Sequence, residues 1–421
     1  MIHQTICVVG LGYIGLPTAT MFASRGKTVI GVDVKQSAVD TINRGEIHIV
    51  EPDLDIAVRA AVTQGNLKAT TRPESADAFL VAVPTPFKKT EDENAIPTPD
   101  LSYIQAAADA IAPVLKKGGL VILESTSPVG ATEQMAGWLA AARPDLTFPQ
   151  QAGEESDIRV AHCPERVLPG KVMKELIEND RIVGGMTAKC AQAACDLYKT
   201  FVTGECLVTS ARTAEMTKLT ENAFRDVNIA FANELSIICD KMDINVWELI
   251  SLANRHPRVS ILQPGPGVGG HCIAVDPWFI VSGAPEEARI IETARNINDS
   301  KPQWVITKIF HECEKYEAEN GKKPVVAFYG LAFKADIDDL RESPALHIVR
   351  KFLSPYKGEA LVVEPNIDSV EEMYGFNVTL VDFDEALRLA DIHVLLVDHK
   401  EFKRKGPESG SVIDMKGIWG G

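Results

Sequence analysis

The chain has 421 residues, of which 45% are hydrophobic and 24% are charged, and 43 basic against 58 acidic side chains give a formal net charge of −15. A chain of this length exceeds a single hydrophobic core and predicts two or three domains. The acidic balance argues against nucleic acid or an anionic membrane surface as the main partner, and the sequence has no apolar run long enough for membrane insertion.

The cysteines give an expectation about the cellular compartment. The chain has eight of them, and no two form a CxxC pair. In a long chain such scatter is typical of reduced thiols rather than of a disulfide framework. A strand is expected to begin by Thr5, which leaves no room for a signal peptide. We therefore expect a cytoplasmic protein.

The first part of the chain alternates apolar runs with helical patterns. A strand is predicted over 5–9, a helix ends near Ser24, and a second strand and helix follow at 28–33 and 36–44. Further short apolar runs cover 78–83, 120–123, 160–162 and 182–183. Strands that alternate with helices predict a parallel sheet covered by helices on both faces.

A long helical segment is predicted between residues 213 and 254, where the sequence has neither glycine nor proline. The pattern fits one long helix or two joined helices. The apolar residues that recur there at helical steps are Met216, Leu219, Phe224, Val227, Phe231, Leu235 and Ile238. We expect this segment to bridge two domains and to bury a dimer face.

The alternation starts again after a predicted helix over 302–320. Strands are then expected at 324–329, 360–363 and 392–397, with helices at 344–352 and 384–389. The predicted fold is α/β, with two Rossmann-like doubly wound parallel-sheet domains joined by a long central helix. We expect the domains to cover 1–210, 211–318 and 319–421, with a linker at 319–323.

A glycine-rich loop, residues 10–15 (GLGYIG), follows the first strand and opens the first helix. In a dinucleotide-binding fold Gly10 permits the turn, the middle glycine lets a pyrophosphate approach the backbone, and Gly15 allows close packing of helix and strand. The free N–H groups of the helix then face the phosphates. Tyr13 and Ile14 of this loop are expected to contact the cofactor.

An acid stands where such a site needs one. Asp33 closes the second strand, where its carboxylate would accept hydrogen bonds from the adenosine ribose and repel a 2′-phosphate. The sequence therefore predicts NAD rather than NADP. A tight turn in an α/β protein that binds no nucleotide is the alternative.

Two later loops follow apparent strand ends. Residues 84–86 contain Thr85, and residues 125–130 (STSPVG) contain Thr126. Ligands of open α/β sheets lie at the carboxyl ends of the strands. We favour contact with the cofactor for both loops over the alternative of plain turns.

Residues 269–276 (GGHCIAVD) indicate a reactive thiol. The glycines, beginning with Gly269, let the backbone turn tightly and expose Cys272. The carboxylate of Asp276 is placed to order a water or tune that thiol. Beside a redox cofactor, this predicts an oxidation in which the cysteine holds the substrate carbon between two hydride transfers. A glycine-rich turn with a half-buried cysteine is the alternative.

A zinc site is a different chemistry for the same segment. His271 and Cys272 are adjacent, but the sequence offers no second ligand pair at metal-binding spacing. A protein zinc site needs three or four such ligands. We therefore expect no metal.

Lys218 and Asn222 lie four residues apart in the long helical segment and share one face. A cation and an amide so placed can stabilise an alkoxide or the oxyanion of a tetrahedral intermediate. A pair of solvated surface side chains is the alternative.

Six ordered motifs resemble the nucleotide-sugar 6-dehydrogenases, the family of the UDP-glucose and GDP-mannose dehydrogenases, along nearly the whole chain. The motifs are 10–15 (GLGYIG), 125–130 (STSPVG), 163–165 (CPE), 218–222 (KLTEN), 269–276 (GGHCIAVD) and 330–334 (GLAFK) with 341–343 (RES). The resemblance implies that the N-terminal domain binds NAD and the C-terminal domain binds a UDP-sugar. It also implies a homodimer, formed by the central helix, in which the neighbouring subunit completes the substrate site.

The resemblance further implies a four-electron oxidation of a sugar C6 hydroxyl. Cys272 traps the aldehyde as a thiohemiacetal, Lys218 and Asn222 stabilise the charge on oxygen, and a second hydride transfer leaves a thioester. Water then hydrolyses the thioester to the uronate. The residues expected to position that water are Asp276, Thr126 and Glu165.

Because the ligands carry phosphates and the chain is acidic, basic residues must gather locally. By resemblance, Arg258 reaches the sugar in the neighbouring subunit, Lys334 contacts the UDP-sugar, and Arg341 lies near a phosphate or the cofactor. The alternative for each of these three residues is an ordinary charged side chain at the surface. The alternative for Phe333 is packing in a hydrophobic core, and the alternative for Arg225 is a salt bridge within the helix. The other residues expected at the substrate are Glu165, Arg166, Val167, Lys218, Asn222, Arg225, His256, Gly269 and Phe333.

The residues around the cysteine distinguish branches of this family. The UDP-glucose branch often has a phenylalanine and a lysine there, whereas this chain has His271 and 273–275 (IAV), as in the branch acting on N-acetylated UDP-hexosamines. Segments 255–258 (RHPR), 263–267 (QPGPG) and 276–279 (DPWF) look closest to the members that act on UDP-N-acetyl-D-mannosamine, so the resemblance implies this substrate, used for surface polysaccharides of the enterobacterial common antigen type. UDP-N-acetylglucosamine and UDP-glucose are the alternatives. Several members of the UDP-glucose branch carry a second acidic residue before the glycine in the loop after Glu165. This chain has 169–170 (PG) there, so we assign that acid's role to no residue of this chain.

Two rival classes are weighed against this interpretation. A nucleotide-sensing protein without turnover is the rival outside enzymes, and the presence of Cys272, Lys218, Asn222 and Asp276 argues against it. The 6-phosphogluconate and 3-hydroxy acid dehydrogenases are the rival among oxidoreductases. They lack the catalytic cysteine and the third α/β domain, so segment 269–276 discriminates between the classes.

Overall fold

The computed structural model describes residues 4–49, 51–90, 92, 95–168, 170–270, 272–367 and 376–419. The chain divides into two compact units, the first formed by Met1–Glu221 with Trp278–Ala284 and the second by Asn222–Pro277 with Pro285–Gly421. Each unit contains its own sheet. Within the described ranges, no helix combines the length and the apolar character needed to cross a membrane.

The sheet of the first unit has eight strands among the described residues. They are β1 (Thr5–Val9), β2 (Thr28–Val32), β3 (Leu67–Thr70), β4 (Ala78–Val81), β5 (Leu120–Leu123), β6 (Arg159–His162), β7 (Arg181–Gly185) and β8 (Cys206–Ser210). Their spatial order is β3-β2-β1-β4-β5-β6-β7-β8. The pairs are parallel except that β6 and β7 are antiparallel, so β7 and β8 run against the other strands.

Helices and apolar cores cover both faces of this sheet. Because side chains alternate along a strand, Ile6 and Val8 of β1 enter one core while Cys7 and Val9 enter the other. The helices are α1 (Gly15–Ser24), α2 (Gln36–Asn43), α3 (Leu54–Thr63), α4 (Ser102–Ile111), α5 (Ala131–Ala142), α6 (Pro149–Ala152), α7 (Val172–Glu178) and α8 (Ala188–Tyr198). Short 3-10 turns of this unit lie at Ala112–Val114 and Gly153–Glu155, and one of the second unit lies at Lys400–Lys403.

The long helical segment is two joined helices, α9 (Ala211–Lys241) and α10 (Val246–Ala253). Asp243 between them has a φ of 55°, a left-handed conformation that interrupts the helix. Asn245 then caps α10, because its side chain accepts hydrogen bonds from the N–H groups of Trp247 and Glu248. A polar residue that tolerates the left-handed region therefore ends α9 without glycine or proline.

The helix predicted to begin at residue 302 begins earlier. It is α12 (Arg289–Asn320), preceded by α11 (Asp276–Gly283), and it contains Pro302 in its interior. Its first half has no clear apolar stripe, because three of its buried positions are polar: Arg295, Asn298 and Lys301. The period of the apolar pattern therefore missed it.

A polar seam joins α9 to α12 within the second unit. Its hydrogen-bonded pairs follow the same order along both helices and are Asp226–Arg295, Asn233–Asn298, Ser236–Lys301 and Asp240–Lys308. Burial lowers the pKa of Lys301 to about 7. Buried polar groups so paired fix the register between two helices.

The second sheet is parallel throughout its described pairs and has the order β11-β10-β9-β12-β13. Its strands and helices are β9 (Val326–Tyr329), α13 (Pro344–Leu353), β10 (Ala360–Val363), β11 (Val378–Leu380), α14 (Phe383–Leu389), β12 (Ile392–Leu395) and β13 (Ser411–Asp414). The predicted α/β class, with two Rossmann-like sheets and a long helix between them in the sequence, is confirmed.

Candidate functional site

The glycine-rich loop joins β1 to α1, and its glycines differ in their surroundings. Gly10 has a φ of 93°, and a Cβ there would lie 2.4 Å from the carbonyl oxygen of Ala82. A Cβ on Gly15 would lie 1.8 Å from the carbonyl oxygen of Gly10, so only glycine fits. A Cβ on Gly12 would meet nothing within 4 Å. Open space therefore lies beside Gly12, near the N-terminus of α1.

The carboxylate of Asp33 ties this loop to the end of β2. Its Oδ2 accepts a hydrogen bond from the N–H of Leu11 at 3.2 Å, and its Oδ1 accepts one from the N–H of Lys35 at 2.9 Å. Asp33 is partly exposed, and a carboxylate has about four acceptor sites. It can therefore hold the loop and still accept hydrogen bonds from ribose hydroxyls.

Two hydroxyl groups after β4 and β5 are buried without a hydrogen-bond partner among the described residues. They are Oγ1 of Thr85 and Oγ of Ser127. A buried hydroxyl left unpaired costs about 1–3 kcal/mol, so both groups point to a polar ligand. Thr126 and Ile14 are half-buried, and Tyr13 is 39% exposed. These groups lie at the carboxyl ends of β1, β4 and β5 and fit an NAD molecule.

Glu165 follows β6, is buried, and is held through both carboxylate oxygens. Its Oε2 accepts a hydrogen bond from Nη1 of Arg181 at 2.6 Å, and its Oε1 accepts one from the N–H of Arg166 at 2.7 Å. The Arg166 side chain pairs with Glu221 at 2.7 Å, and Val167 packs against the core. The first unit thus contains a buried carboxylate of fixed orientation.

Sequence analysis missed Glu215, a buried carboxylate on α9. It accepts hydrogen bonds from the N–H of Gly130 at 2.6 Å and from the N–H and hydroxyl of Thr132 at 2.8 and 2.6 Å. It caps the N-terminus of α5, where the helix dipole favours a negative charge, and anchors the loop that carries Thr126. No local pattern could reveal this role, because its partners lie 85 and 83 residues away.

The second unit brings Asn222, Cys272 and Asp276 together. Nδ2 of Asn222 donates a hydrogen bond to Oδ2 of Asp276 at 2.5 Å, and both residues are buried. The N–H of Asp276 donates to the carbonyl of Cys272 at 2.9 Å, so one turn of backbone separates them. Cys272 is exposed. Lys218 belongs to the first unit and is half-buried.

Phe333 packs on the backbone of the cysteine segment. A Cβ on Gly269 would lie 3.1 Å from Cβ of Phe333 and 2.7 Å from the carbonyl oxygen of Glu342. Gly270 has a φ of 83°, and a Cβ there would lie 3.3 Å from the Phe333 ring. The two glycines thus let the loop after β9 approach closely. His271 and Pro169 lie outside the described residues.

Four basic side chains expected at the substrate or cofactor, Arg225, Arg258, Lys334 and Arg341, are exposed in the second unit, and so is His256. Arg341 forms a forked pair with Asp339, with its Nε 2.9 Å from Oδ1 and its Nη2 2.6 Å from Oδ2. The N–H of Arg258 donates to Nδ1 of His256 at 3.3 Å. Arg341 and Lys334 share the segment between β9 and α13 with Phe333.

The loop after β9 is built like the loop after β1. Gly330 has a φ of 88°, and the N–H of Leu331 donates to Oε2 of Glu364 at 2.7 Å, just as Asp33 holds the first loop. Glu364 is buried, however, and also accepts a hydrogen bond from His399 at 3.2 Å. Glu364 directly follows β10, as Asp33 follows β2. This repeated pattern is visible in the sequence, and sequence analysis overlooked it.

Asp336, His399 and Glu401 place one ligand atom each within 4.8 Å of one another. Nδ1 of His399 accepts a hydrogen bond from the N–H of Asp336 at 2.9 Å, and its Nε2 faces Glu364. Both ring nitrogens are therefore engaged, so the imidazole offers no lone pair to a metal. Asp336 and His399 form a hydrogen-bonded support for the loop after β9.

Comparisons with known proteins cover almost the whole chain. Three models of the UDP-glucose/GDP-mannose dehydrogenase family match it: the NAD binding domain at 4–202, the central domain at 212–300 and the UDP binding domain at 327–420.

Two curated relatives cover nearly their full lengths. The chain is 65% identical over 419 residues to the NDP-N-acetyl-D-galactosaminuronic acid dehydrogenase of Ralstonia nicotianae, covering 99% of this chain and 96% of that protein. It is 62% identical over 425 residues to the UDP-N-acetyl-D-mannosamine dehydrogenase of Yersinia pestis, covering 100% of both. Among solved structures, the UDP-D-ManNAc dehydrogenase of Pyrococcus horikoshii matches with a TM-score of 0.86 and 40% identity, over 98% of this chain and 96% of that one.

Proposed function

The chain belongs to the UDP-glucose/GDP-mannose dehydrogenase family, and we propose that it oxidises UDP-N-acetyl-D-mannosamine to UDP-N-acetyl-D-mannosaminuronate. The exposed thiol of Cys272, one turn before the buried Asp276–Asn222 pair, carries the proposal. The activity named for the Yersinia pestis relative supports the choice of sugar. The uronate would serve a bacterial surface polysaccharide of the enterobacterial common antigen type.

NAD is the cofactor of the matched N-terminal domain and, when bound, accepts the hydride removed from C6. The open space beside Gly12 supports a dinucleotide site at this edge of the sheet, as do the hydroxyls of Thr85 and Ser127, which have no partner in the part of the chain that the structure describes. The residues proposed to hold it are Gly10, Tyr13, Ile14, Gly15, Asp33, Thr85, Thr126 and Arg341.

The thiol chemistry belongs to Cys272. Its sulfur adds to the aldehyde carbon, forming a C–S bond while the thiol proton passes to the aldehyde oxygen. The adduct then loses that proton to water and loses a hydride, which a second NAD⁺ would accept, and becomes a thioester. Water attacks that carbon, the C–S bond breaks, and the thiol is restored. An amide nitrogen carries two hydrogens, so Asn222 can orient Asp276 with one and stabilise an oxyanion, together with Lys218, with the other. Asp276 then holds the attacking water, with Thr126 or Glu165.

Each unit offers polar groups that fit parts of a nucleotide-sugar. The fixed carboxylate of Glu165 supports contacts to hydroxyl groups, and the exposed arginine and lysine side chains of the second unit support contacts to phosphate groups. The residues proposed for these contacts are Glu165, Arg166, Val167, Lys218, Asn222, Arg225, His256, Arg258, Gly269, Phe333 and Lys334.

A homodimer formed through α9 is part of the proposal. Phe224, Phe231 and Ile238 recur every seven residues and therefore lie along one face, and they are 68%, 53% and 41% exposed. Such a stripe of large apolar side chains marks a protein–protein surface. A second copy of the chain would cover it and bring Arg258 to the neighbouring substrate site. Six of the eight cysteines are buried thiols, which supports a reducing, cytoplasmic location.

Oxidation of an N-acetylgalactosamine nucleotide is the second candidate, because the Ralstonia nicotianae relative at 65% identity carries that name. The test is NADH release from NAD⁺ with UDP-N-acetylmannosamine, UDP-N-acetylgalactosamine, UDP-N-acetylglucosamine and UDP-glucose, each titrated to exhaustion. We expect two NADH per sugar and the highest kcat/KM with the mannosamine. A higher kcat/KM with another sugar would overturn the substrate assignment. One NADH per sugar would remove the thioester from the mechanism.

A further inference from the structure

A buried polar cluster stands behind Glu165 and takes no part in the chemistry above. Its centre is Glu124, directly after β5 and 1% exposed. Oε1 of Glu124 accepts a hydrogen bond from the hydroxyl of Tyr198 at 2.6 Å. Its Oε2 is buried without a partner among the described residues. A second carboxylate thus lies close to Glu165 inside the first unit.

Arg181 is the cation whose charge acts on both carboxylates. Its Nη1 donates to Oε2 of Glu165 at 2.6 Å, and its guanidinium lies 5.0 Å from the centre of the Tyr198 ring, whose hydroxyl binds Glu124. Arg181 is 3% exposed. The titratable groups that face Glu124 are Arg181 from β7, Glu165 and Cys163 from the segment after β6, and Tyr198 from α8.

One guanidinium cannot neutralise two buried carboxylates at once. Removed from water, an unpaired carboxylate tends to take up a proton instead. Burial raises the pKa of Glu124 to about 7, while the charge of Arg181 acts in the opposite direction. Arginine itself remains protonated in this range. Glu124 therefore changes charge near neutral pH while the cation beside it does not.

We propose that Arg181 and Glu124 are positioning residues for Glu165. Arg181 fixes the orientation of the Glu165 carboxylate. The charge on Glu124 determines whether Arg181 interacts with one ionised carboxylate or with two. When Glu124 is neutral, Arg181 pairs with Glu165 alone. When Glu124 is ionised, its attraction for Arg181 competes with that pair, and the step that Glu165 serves becomes pH-dependent. The inference deepens the proposed function, since it takes Glu165 to act on substrate or water.

The test is the pH profile of kcat/KM for the NAD-dependent oxidation, from about pH 5.5 to 8.5. The wild type should show an inflection near pH 7, with up to about a tenfold change per pH unit on one side. Glu124→Gln should remove that inflection. Tyr198→Phe removes a hydrogen bond that lowers the pKa of Glu124, so it should move the inflection to higher pH. Circular dichroism confirms that each variant folds.

The matched control is Asp145→Asn, which removes an exposed carboxylate paired with Arg143 in the same unit. Its profile should superimpose on that of the wild type. A purely structural role for Glu124 would lower kcat/KM by the same factor at every pH. That result, or a wild-type inflection retained in Glu124→Gln, would overturn the proposal.

A second measurement separates this inference from the proposed function. Infrared difference spectra of the wild type and Glu124→Gln follow the protonated carboxyl band across the same pH range without turnover. A band that disappears near pH 7, and at higher pH in Tyr198→Phe, supports the titration of Glu124 even if no sugar yields NADH. A Glu124 that is already ionised at the acidic end of the range would overturn it. Failure with all four sugars would count against the proposed function.

Discussion

Asn222 and Asp276 lie 54 residues apart in the sequence and meet through a 2.5 Å hydrogen bond between buried side chains. A buried carboxylate is costly unless a donor satisfies it, and the Asn222 amide is that donor. Asp276 lies one turn after Cys272 in the chain. Its hydrogen bond to Asn222 of α9 therefore fixes the end of segment 272–276 against that helix. The exposed thiol therefore belongs to a residue one turn away from a fixed carboxylate.

Asn222→Asp should test this relationship most directly. It would place two carboxylates at hydrogen-bond distance, and we expect a loss of about 100-fold in kcat/KM near pH 8. Part of the loss should be recovered at lower pH, because a proton shared between the carboxylates restores the hydrogen bond. Asp276→Asn is the control, since it keeps an acceptor and removes the charge, and its loss should not recover. Equal pH profiles for the two variants would contradict this account.

Cys272→Ser should stop the reaction before the thioester. A hydroxyl is a far weaker nucleophile than a thiolate, so the rate of uronate formation should fall by at least about 1000-fold. Uronate is measured by chromatography and NADH by absorbance, with sugar limiting. Cys313→Ser is the matched control, because Cys313 is a buried thiol of the same unit. This variant should leave the ratio of NADH to uronate unchanged. Full uronate production by Cys272→Ser would end the assignment of the nucleophile.

Two glycine substitutions should separate cofactor binding from folding. Gly15→Ala must displace backbone, because its Cβ would lie 1.8 Å from the Gly10 carbonyl oxygen, so Tm should fall. Gly12→Ala meets nothing within 4 Å, so its free energy of unfolding should stay within about 0.5 kcal/mol of the wild type. Its KM for NAD should nevertheless rise by about tenfold or more, since the added methyl group fills the space beside the loop. An unchanged KM would place the pyrophosphate elsewhere.

Asp33→Asn should weaken the preference for NAD over NADP. The amide keeps an acceptor for the loop and removes the charge that repels a 2′-phosphate, so we expect the ratio of kcat/KM values to fall by about tenfold. Glu364→Gln makes the same chemical change in the second sheet, where the acid also holds a loop N–H. That variant should leave the cofactor ratio within about twofold. The two ratios are obtained from initial rates at several cofactor concentrations.

Glu124 should also make stability depend on pH. Its pKa is about 7 in the folded chain against an ordinary value of 4.5, so the folded state binds more protons between those values. The free energy of unfolding should therefore fall by up to ~3 kcal/mol as pH rises through that window and change little above it. Urea denaturation of the wild type and Glu124→Gln at about pH 5, 6, 7 and 8 measures the difference. A constant difference between them would show that Glu124 does not titrate there.

The elements that sequence reasoning located best are those whose burial is complete. The predicted bounds of β1, β5 and β10 are those of the structure, because each is a short apolar run inside a sheet. Elements with mixed surroundings were missed, such as β13, in which Ile413 is buried and Val412 is 43% exposed. The first half of α12 was missed for a related reason, since Arg295 and Lys301 occupy buried positions that a period search assigns to solvent.

Site residues followed the same division. Motifs that are contiguous in the chain, such as 10–15 and 269–276, were readable because their spacing is itself the signal. Glu215 and the Glu165–Arg181 pair depend on contacts between elements, and no local pattern encodes them. Sequence reasoning therefore named Glu165 as a residue that positions water but did not find Arg181, the cation that holds its carboxylate.

The paired side chains between α9 and α12 limit how the second unit can move. Sliding one helix past the other by a turn would leave Asp226, Arg295 and Lys301 opposite the wrong neighbours, and each buried group left unpaired costs about 1–3 kcal/mol. Every intermediate position of such a slide therefore leaves buried groups unpaired. The two helices must tilt or bend together instead. Any change of shape that accompanies turnover is thus directed into the loops at the helix ends. The 265–270 segment lies between α10 and α11 and is tethered to the seam, because the N–H of Gly265 donates a hydrogen bond to Oδ1 of Asn233.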